Sequence, residues 1–185
     1  MIRQCQPGDI ERIYLIINEA AKAYEGVIPV DCYHQPYMPM NELNLEMKRV
    51  TFTGWEEDKL VGVMGFEQVK DVSLIRHAYV LPLCQQLGVG RKLLKYIINV
   101  VTTPRLLVGT WADAYWAIDF YQKHGFTRLS GKDALLREYW DIPQRQIETS
   151  VILLYTLPID HLSWLCLTSQ TGVYPLKHHC SGYRP

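Results

Sequence analysis

The run Gln85-Gln86-Leu87-Gly88-Val89-Gly90-Arg91-Lys92 decides the fold, because a predicted strand enters it and a predicted helix leaves it. Residues 72–81 are rich in β-prone side chains and end at Pro82. Apolar residues then recur at helical spacing, at Leu93, Leu94, Ile97, Ile98 and Val101. A strand, a glycine-containing turn and a helix N-terminus together present backbone N–H groups to an anion. Residues 85–92 are therefore predicted to form a pyrophosphate-binding loop, called the cradle below.

The composition of the cradle narrows the class of phosphate site. Gly88 and Gly90 let the backbone approach a phosphate closely, and Arg91 and Lys92 add positive charge beside it. A Walker-type loop needs a longer spacing and a Ser or Thr after its lysine, but Leu93 follows Lys92. A dinucleotide fingerprint needs three glycines and an acidic residue on a following strand. The cradle matches neither pattern.

A second motif follows the next predicted strand, residues 105–111. This motif is Ala117-Ile118-Asp119-Phe120-Tyr121-Gln122-Lys123-His124-Gly125-Phe126. Ala117, Phe120, Tyr121 and His124 share one helical face, and Gly125 marks the end of that helix. Gln-x-x-Gly-x-Gly after a strand resembles the acetyl-CoA loop of the GNAT superfamily of N-acetyltransferases. Ala-x-x-Phe-Tyr-x-x-x-Gly-Phe resembles the second signature of that family. Two motifs in the right order are more specific than either alone, and the resemblance covers about residues 1–154.

The order of predicted elements agrees with this resemblance. Six strands are predicted, over residues 2–5, 52–56, 60–69, 71–81, 105–111 and 147–155. Helices are predicted over residues 41–49 and 133–139 and after Pro7, the cradle and Asp113. This succession predicts an α/β fold of the α+β kind, with a GNAT-like mixed, mostly antiparallel sheet flanked by helices. We expect an acetyltransferase domain over residues 1–155 and an extension of unknown role over residues 156–185.

The composition argues against several classes of partner. The 19 basic and 19 acidic residues balance, so we expect no binding to nucleic acid or to a membrane surface. The N-terminus lacks an apolar signal core, and no later run is long enough to span a bilayer. Five cysteines without a CxxC pair are typical of reduced thiols, which predicts a cytoplasmic protein. Cys166, His178, His179 and Cys180 fit no zinc spacing, and no metal is expected.

Acetyl transfer to an amine sets three chemical requirements. The amine must lose a proton, the oxyanion needs a hydrogen-bond donor, and the departing CoA thiolate needs a proton. The resemblance implies acetyl-CoA as co-substrate on the cradle, an oxyanion donor at the main chain near Val80, and Tyr121 as the acid. A phenol of pKa ~10 is a weaker acid than a thiol of pKa ~8.5, so complete transfer costs about 2 kcal/mol, which is small against an enzymatic barrier. A purely structural aromatic is the other interpretation of Tyr121.

The residue that accepts the amine proton is left open by the sequence. Glu67, His77 and Glu25 are candidates, and a chain of waters is a further route. Arg76 stays charged at neutral pH, and it stands roughly where some members of the family carry a carboxylate. At Ala114 many members carry an asparagine that braces the cofactor loop. Asp113 is predicted to cap the helix instead.

In the family that this chain resembles, the connection between the first two helices lines the acceptor pocket. The resemblance therefore implies that residues 24–40 line the acceptor pocket here. Their aromatic and methionine side chains offer an apolar wall with Glu25, Asp31 and His34 as polar anchors, unless they merely cover the sheet. We expect a small-molecule amine rather than a protein, because no run of carboxylates suits a cationic protein tail. Two alternatives stay open: a CoA-binding sensor or interaction protein without catalysis, and a nucleotide-binding protein that uses the same cradle. A homodimer also stays open.

Overall fold

A computed structural model describes residues 1–158 of the chain. The strands are β1 (Ile2–Gln4), β2 (Thr51–Glu56), β3 (Leu60–Val69), β4 (Val72–Val80), β5 (Arg105–Trp111), β6 (Thr127–Arg128) and β7 (Ser150–Thr156). The α-helices are α1 (Ile10–Ala21), α2 (Met40–Glu46), α3 (Val89–Val100), α4 (Tyr115–Lys123), α5 (Lys132–Tyr139) and α6 (Gln144–Glu148). Short 3-10 turns precede α1, follow α1 and follow β4.

The seven strands form one sheet in the order β1-β2-β3-β4-β5-β7-β6. Every neighbouring pair is antiparallel except β4 and β5, which run parallel because α3 carries the chain across between them. The predicted mixed, mostly antiparallel sheet flanked by helices is confirmed. The division between a domain ending at residue 155 and an extension stays a prediction, since residues 159–185 lie outside the described part of the chain.

The single parallel pair comes apart along its length. Its ladder runs from Val72 opposite Arg105 to Ile75 opposite Val108 and ends there, although both strands continue. On the other side of β4 the register to β3 shifts between Val63 and Gly65, which marks a β-bulge. The bulge bends β4 away from β5 and leaves a gap in the middle of the sheet.

Helices cover both faces of the sheet. On one face, α3 and α4 pack their apolar side chains on the centre of the sheet, and the predicted helical stripe of Leu93, Leu94, Ile97 and Val101 is buried there. On the other face, α1 and α2 cover the half that contains β2 and β3, and α5 and α6 cover the half that contains β5 and β7. The gap between β4 and β5 therefore has a helical layer on one side and the space between two helical layers on the other.

Two sequence predictions were wrong in detail. Residue Ile147, predicted to open the last strand, is buried on α6, and the strand begins at Ser150. Pro143 starts that helix, and a single apolar residue can face the core from a helix as well as from a strand. Asp113 does not cap α4: the capping position is Ala114, and the Asp113 carboxylate accepts a 3.4 Å hydrogen bond from the Tyr115 hydroxyl.

Candidate functional site

The backbone of the cradle is shaped for an anion. Gln86 and Gly88 adopt left-handed φ angles of +61° and +78°, which turn the chain sharply into α3. The first hydrogen bond of α3 runs from the Lys92 N–H to the Gly88 carbonyl at 3.0 Å. The N–H groups of Val89, Gly90 and Arg91 precede that bond and point out of the helix end. They supply the donors and the positive end of the helix dipole to a phosphate.

The side chains of the cradle have separate positions. Arg91, Lys92 and Leu87 are exposed, and the Lys92 ammonium lies 4.2 Å from the centre of the Trp55 ring in a cation–π contact. The Gln85 amide donates a 3.0 Å hydrogen bond to the Val80 carbonyl, which ties the cradle to the end of β4. Val89 is buried against the sheet. Gly90 lies inside α3, where a Cβ would meet the Phe120 ring at 3.5 Å.

Strand alternation directs the main chain of Val80 towards the gap. Leu81, one residue later, donates its N–H to the Val61 carbonyl at 2.9 Å and so faces β3. Successive residues of a strand point their backbone groups to opposite sides, and Val80 stands opposite Gly62 in the same ladder. The N–H of Val80 therefore points away from β3, into the space that β5 has left. A carbonyl oxygen placed in the gap would find a donor there.

Tyr121 lies on the α3–α4 side of the same gap. Its side chain is 4% exposed, and its ring meets Phe120 and Phe126 edge-on at 5.1 and 5.2 Å between centroids. Val80 packs against the apolar cluster that contains Tyr121. Burial raises the pKa of Tyr121 well above its ordinary value, and the nearby Tyr24 adds to that rise. The phenol therefore keeps its proton throughout the physiological range.

The predicted end of the Tyr121 helix is confirmed. Gly125 adopts a φ of +90°, and the Phe126 N–H donates to the Tyr121 carbonyl at 3.1 Å, closing the helix as a left-handed C-cap does. Phe126 is then buried and leads into β6. This cap fixes where α4 stops and thereby how deep Tyr121 lies in the core.

A cleft of about 530 Å³ occupies the opposite face of the sheet, between the α1–α2 and α5–α6 layers. We call it the central cleft. Its aromatic walls come from the segment after α1, from β4, from β5 and from the segment after α5: Tyr24, Tyr37, Tyr79, Trp111 and Trp140. Tyr24 and Tyr37 stack at 5.8 Å, and the Trp111 indole donates to the Tyr37 hydroxyl at 3.2 Å. The parts of β4 and β5 beyond Ile75 and Val108, where the two strands no longer pair with each other, also line the cleft. The gap therefore opens into the cleft.

The polar anchors predicted from residues 24–40 fall in different places. Asp31 and His34 line the central cleft, but Glu25 is exposed and does not line it. The Asp31 carboxylate forms a 3.1 Å ion pair with Arg145 of α6, and the pair bridges the two walls of the cleft. His34 Nδ1 lies 2.7 Å from the Pro36 carbonyl oxygen. The Asp31–Arg145 pair is more than half exposed, so its contribution to stability is small.

The base candidate Glu67 and the neighbouring Arg76 belong to one ionic cluster. Arg49 and Arg76 lie 3.0 and 3.4 Å from Glu67, and Arg76 also lies 3.5 Å from Glu46. Glu67 is therefore paired with two guanidinium groups. His77 Nε2 lies 2.7 Å from the Glu46 carboxylate. Glu46 was not singled out in the sequence, where it is one of several polar residues on a short helix.

This cluster makes the protein sensitive to acid. Burial alone would raise the pKa of Glu46, but His77, Arg76 and Arg49 together lower it from 4.5 to about 2. A folded-state pKa below the unfolded value means that the carboxylate stabilises the fold fully above pH 4.5 and loses that effect as the pH falls through 2. We expect Glu46→Gln to flatten the fall in unfolding free energy between about pH 5 and 2 in urea titrations. Glu42→Gln, one turn earlier on the same helix and exposed, should keep the wild-type slope, and an equal slope in both variants would contradict the assignment.

Residues 1–158 show no group of three or more His, Cys, Asp and Glu side chains that could hold a metal ion. The cysteines and histidines of residues 166–180 lie outside the described residues. Cys5, Cys32 and Cys84 are free thiols. No helix in the described part of the chain is both long enough and apolar enough to cross a membrane.

The comparison with known proteins agrees with this geometry. Residues 48–128 match the family model of the acetyltransferase (GNAT) domain. A GNAT-family acetyltransferase from Staphylococcus aureus superposes with a TM-score of 0.67 at 17% identity, over 85% of this chain and 99% of that one. The PaiA N-acetyltransferase of Thermoplasma acidophilum, in complex with coenzyme A, gives 0.61 at 16% identity over 84% and 98%.

A longer protein carries the same fold. The N-acetylglutamate synthase of Neisseria gonorrhoeae, complexed with coenzyme A and N-acetyl-glutamate, gives a TM-score of 0.61 at 22% identity, over 85% of this chain and 35% of that one. No curated protein matches the sequence. The matched region contains the gap, the cradle and Tyr121 and begins after α2. Residues 48–128 are thus similar to the acetyltransferase (GNAT) domain, and the described part of the chain shares the fold of solved acetyltransferases of that family.

Proposed function

We propose that this protein transfers the acetyl group of acetyl-CoA directly to the primary amine of a small molecule, with Tyr121 as general acid. The observation that carries the proposal is the separation of β4 and β5 beyond Ile75 and Val108. It opens the sheet between the cradle and the central cleft. A thioester in that gap can be reached by an amine from the cleft side and by a phenol from the α4 side.

Each group of residues around the gap has a separate role in the proposed reaction. The N–H groups of Val89, Gly90 and Arg91 bind the pyrophosphate of the co-substrate. The N–H of Val80 stabilises the oxyanion, and Tyr121 protonates the departing thiolate. Burial disfavours a phenolate and a thiolate alike, so the difference between their pKa values matters more than the height of either. The coenzyme A in the Thermoplasma structure supports a co-substrate of this type.

The shape of the central cleft supports a small acceptor. Its volume of about 530 Å³ lies in the range of ordinary small-molecule pockets. Aromatic rings form its walls, and rings bind both apolar groups and ammonium cations. The N-acetyl-glutamate in the Neisseria structure supports a small amine as acceptor on this fold. A cytoplasmic location and a homodimer stay predictions.

Calorimetric titration of the purified protein tests the proposal at its first step. We expect acetyl-CoA and CoA to bind and ATP not to bind, because two glycines without a Walker lysine and serine suit CoA rather than a nucleotide triphosphate. CoA release is then followed by thiol detection with 2-phenylethylamine, spermidine, glycine and a short peptide with a free N-terminus. Absence of CoA binding would refute the co-substrate. Binding without thiol release would favour the sensor alternative, and acetylation of the peptide alone would refute a small-molecule acceptor.

A further inference from the structure

We propose that His77 is the general base of this transfer and that Glu46 is the residue that positions it. The inference rests on the proposed function, because a base is needed only if an amine attacks. His77 Nε2 lies 2.7 Å from the Glu46 carboxylate, across 31 residues of sequence. An ionised carboxylate can only accept, so Nε2 carries the hydrogen in the neutral ring. Nδ1 then holds the lone pair that takes a proton.

The backbone holds His77 in an uncommon conformation. Its φ angle is +51°, at the bulge where β4 turns away from β5. A non-glycine residue at positive φ is uncommon and persists where the surrounding structure imposes it. Bulges of this kind re-aim a side chain beside an active site. Here the bulge points the imidazole at the central cleft, where it is one of the lining groups.

The packing around the imidazole fixes its plane and its partner. Phe52 of β2 stacks on the ring at 5.7 Å and 15°. The imidazole and the Glu46 carboxylate are both largely buried, with 15% and 13% of their side-chain surface exposed. No hydrogen bond to Nδ1 comes from residues 1–158. A carboxylate that orients a histidine through one nitrogen and leaves the other for a proton is the arrangement of a general-base pair.

The charges near His77 are balanced before it takes a proton. Glu46 contacts the imidazole, Arg49 and Arg76 contact Glu46, and Glu67 contacts both arginines. Two guanidinium groups and two carboxylates cancel, so the imidazolium depends on its direct contact with Glu46. Histidine is also the side chain whose ordinary titration range includes neutral pH. Glu67 contacts the same arginines but not the imidazole, so it does not stabilise the imidazolium directly.

The reaction balances with His77 and Tyr121 as the two proton carriers. The substrate ammonium gives its first proton to Nδ1, and the free amine forms a C–N bond with the thioester carbon. The C–S bond breaks, and the thiolate takes the phenolic proton of Tyr121. The second amine proton restores the phenol, and the imidazolium releases its proton to water. The products are the acetylamide, CoA and one proton.

Steady-state kinetics of His77→Gln and Glu46→Gln test the inference with the panel amine that the wild type acetylates fastest. Glutamine keeps a donor for Glu46 but takes no proton. We expect His77→Gln to lower kcat/KM about 10²-fold at pH 7 and to replace the wild-type acid limb by a rise that continues towards the pKa of the substrate amine, where the amine is free without a base. Glu46→Gln should move the acid limb to lower pH. The KM for acetyl-CoA should stay near the wild-type value in both.

Matched controls separate this role from a structural one. Glu67→Gln removes the same charge from the same arginines and should leave the acid limb where it is, and His124→Gln should leave the whole profile unchanged. An acid limb that keeps its wild-type position in His77→Gln, or that moves in Glu67→Gln as far as in Glu46→Gln, would overturn the inference while the transferase stands. A wild type that acetylates no amine would overturn the proposed function, and the base with it. Ring-nitrogen NMR of the full chain adds an independent test, since a His77 ring protonated at Nδ1 instead of Nε2 at high pH would refute the pair.

Discussion

Replacement of Tyr121 by phenylalanine should lower turnover about 10²-fold or more while the affinity for acetyl-CoA stays near its wild-type value. The variant removes one hydroxyl from a ring that is otherwise packed on both sides by Phe120 and Phe126. Its volume is nearly unchanged, so the apolar cluster around it should keep its packing. What is lost is the proton that the burial of Tyr121 keeps on the phenol.

Stopped-flow measurement of CoA release and calorimetry with acetyl-CoA check this expectation together. Tyr155→Phe is the matched control, because Tyr155 packs on the same cluster and contacts Phe126 at 5.3 Å. It loses a hydroxyl from the same region and should turn over at the wild-type rate. Equal turnover in Tyr121→Phe and the wild type would remove the acid role. A shared loss in both phenylalanine variants would point to packing instead.

The parts of the fold that follow from local sequence were predictable. The apolar stripe of α3 repeats at helical spacing, and Gly88 and Gly125 stand at two of the positions where the described chain makes a left-handed turn. The parallel pairing of β4 and β5 follows from the helix between them. These features depend on residues within one element or at its ends, and such patterns can be read from a single chain.

The centre of the site depends on contacts that no local pattern carries. The alternation of β4 predicts a continuous strand, and the bulge at His77 appears only when β3 is laid beside it. Glu46 reaches His77 because α2 packs across the sheet from β4, and one glutamate among several polar residues gives no signal of that position. Glu67 was a candidate base from its place on β3. The arginines that pair with it come from the turn after α2 and from β4, so the pairing is a tertiary contact.

The gap between β4 and β5 links these two kinds of information. The two sequence motifs predicted the cradle and the position of Tyr121 on the α3–α4 side of the sheet, because both depend on residues that are close together in the chain. The central cleft on the other side is assembled from α2, the segment after α1, and the segment after α5, which are distant in sequence. The proposed co-substrate side can therefore be predicted from motifs, whereas the proposed acceptor side depends on tertiary contacts. We expect acceptor specificity to be set on the side with the weaker sequence signal.

Replacement of Gly88 by aspartate should raise the Kd for acetyl-CoA about 10²-fold or more without unfolding the protein. Gly88 has a φ of +78°, and a Cβ added to it would meet no atom within 4 Å, so the cost to the fold is limited to backbone strain. An aspartate at the N-terminus of a helix is favoured by the helix dipole. The same carboxylate would occupy the N–H groups of α3 and repel the pyrophosphate, and like charges in contact cost several kcal/mol.

Two further glycine variants separate charge from backbone strain in the cradle. Gly88→Asn has nearly the shape of the aspartate and tolerates a positive φ, so it should weaken binding far less. Gly131 starts α5 with a φ of +71° and equally open surroundings, which makes Gly131→Asp a matched control that should bind acetyl-CoA normally. Calorimetry measures the affinities, and thermal unfolding shows whether Gly88→Asp retains its fold. Normal affinity in a folded Gly88→Asp variant would place the pyrophosphate elsewhere. Equal losses in the aspartate and asparagine variants would assign the effect to the backbone, because only the aspartate carries the charge that the pyrophosphate meets.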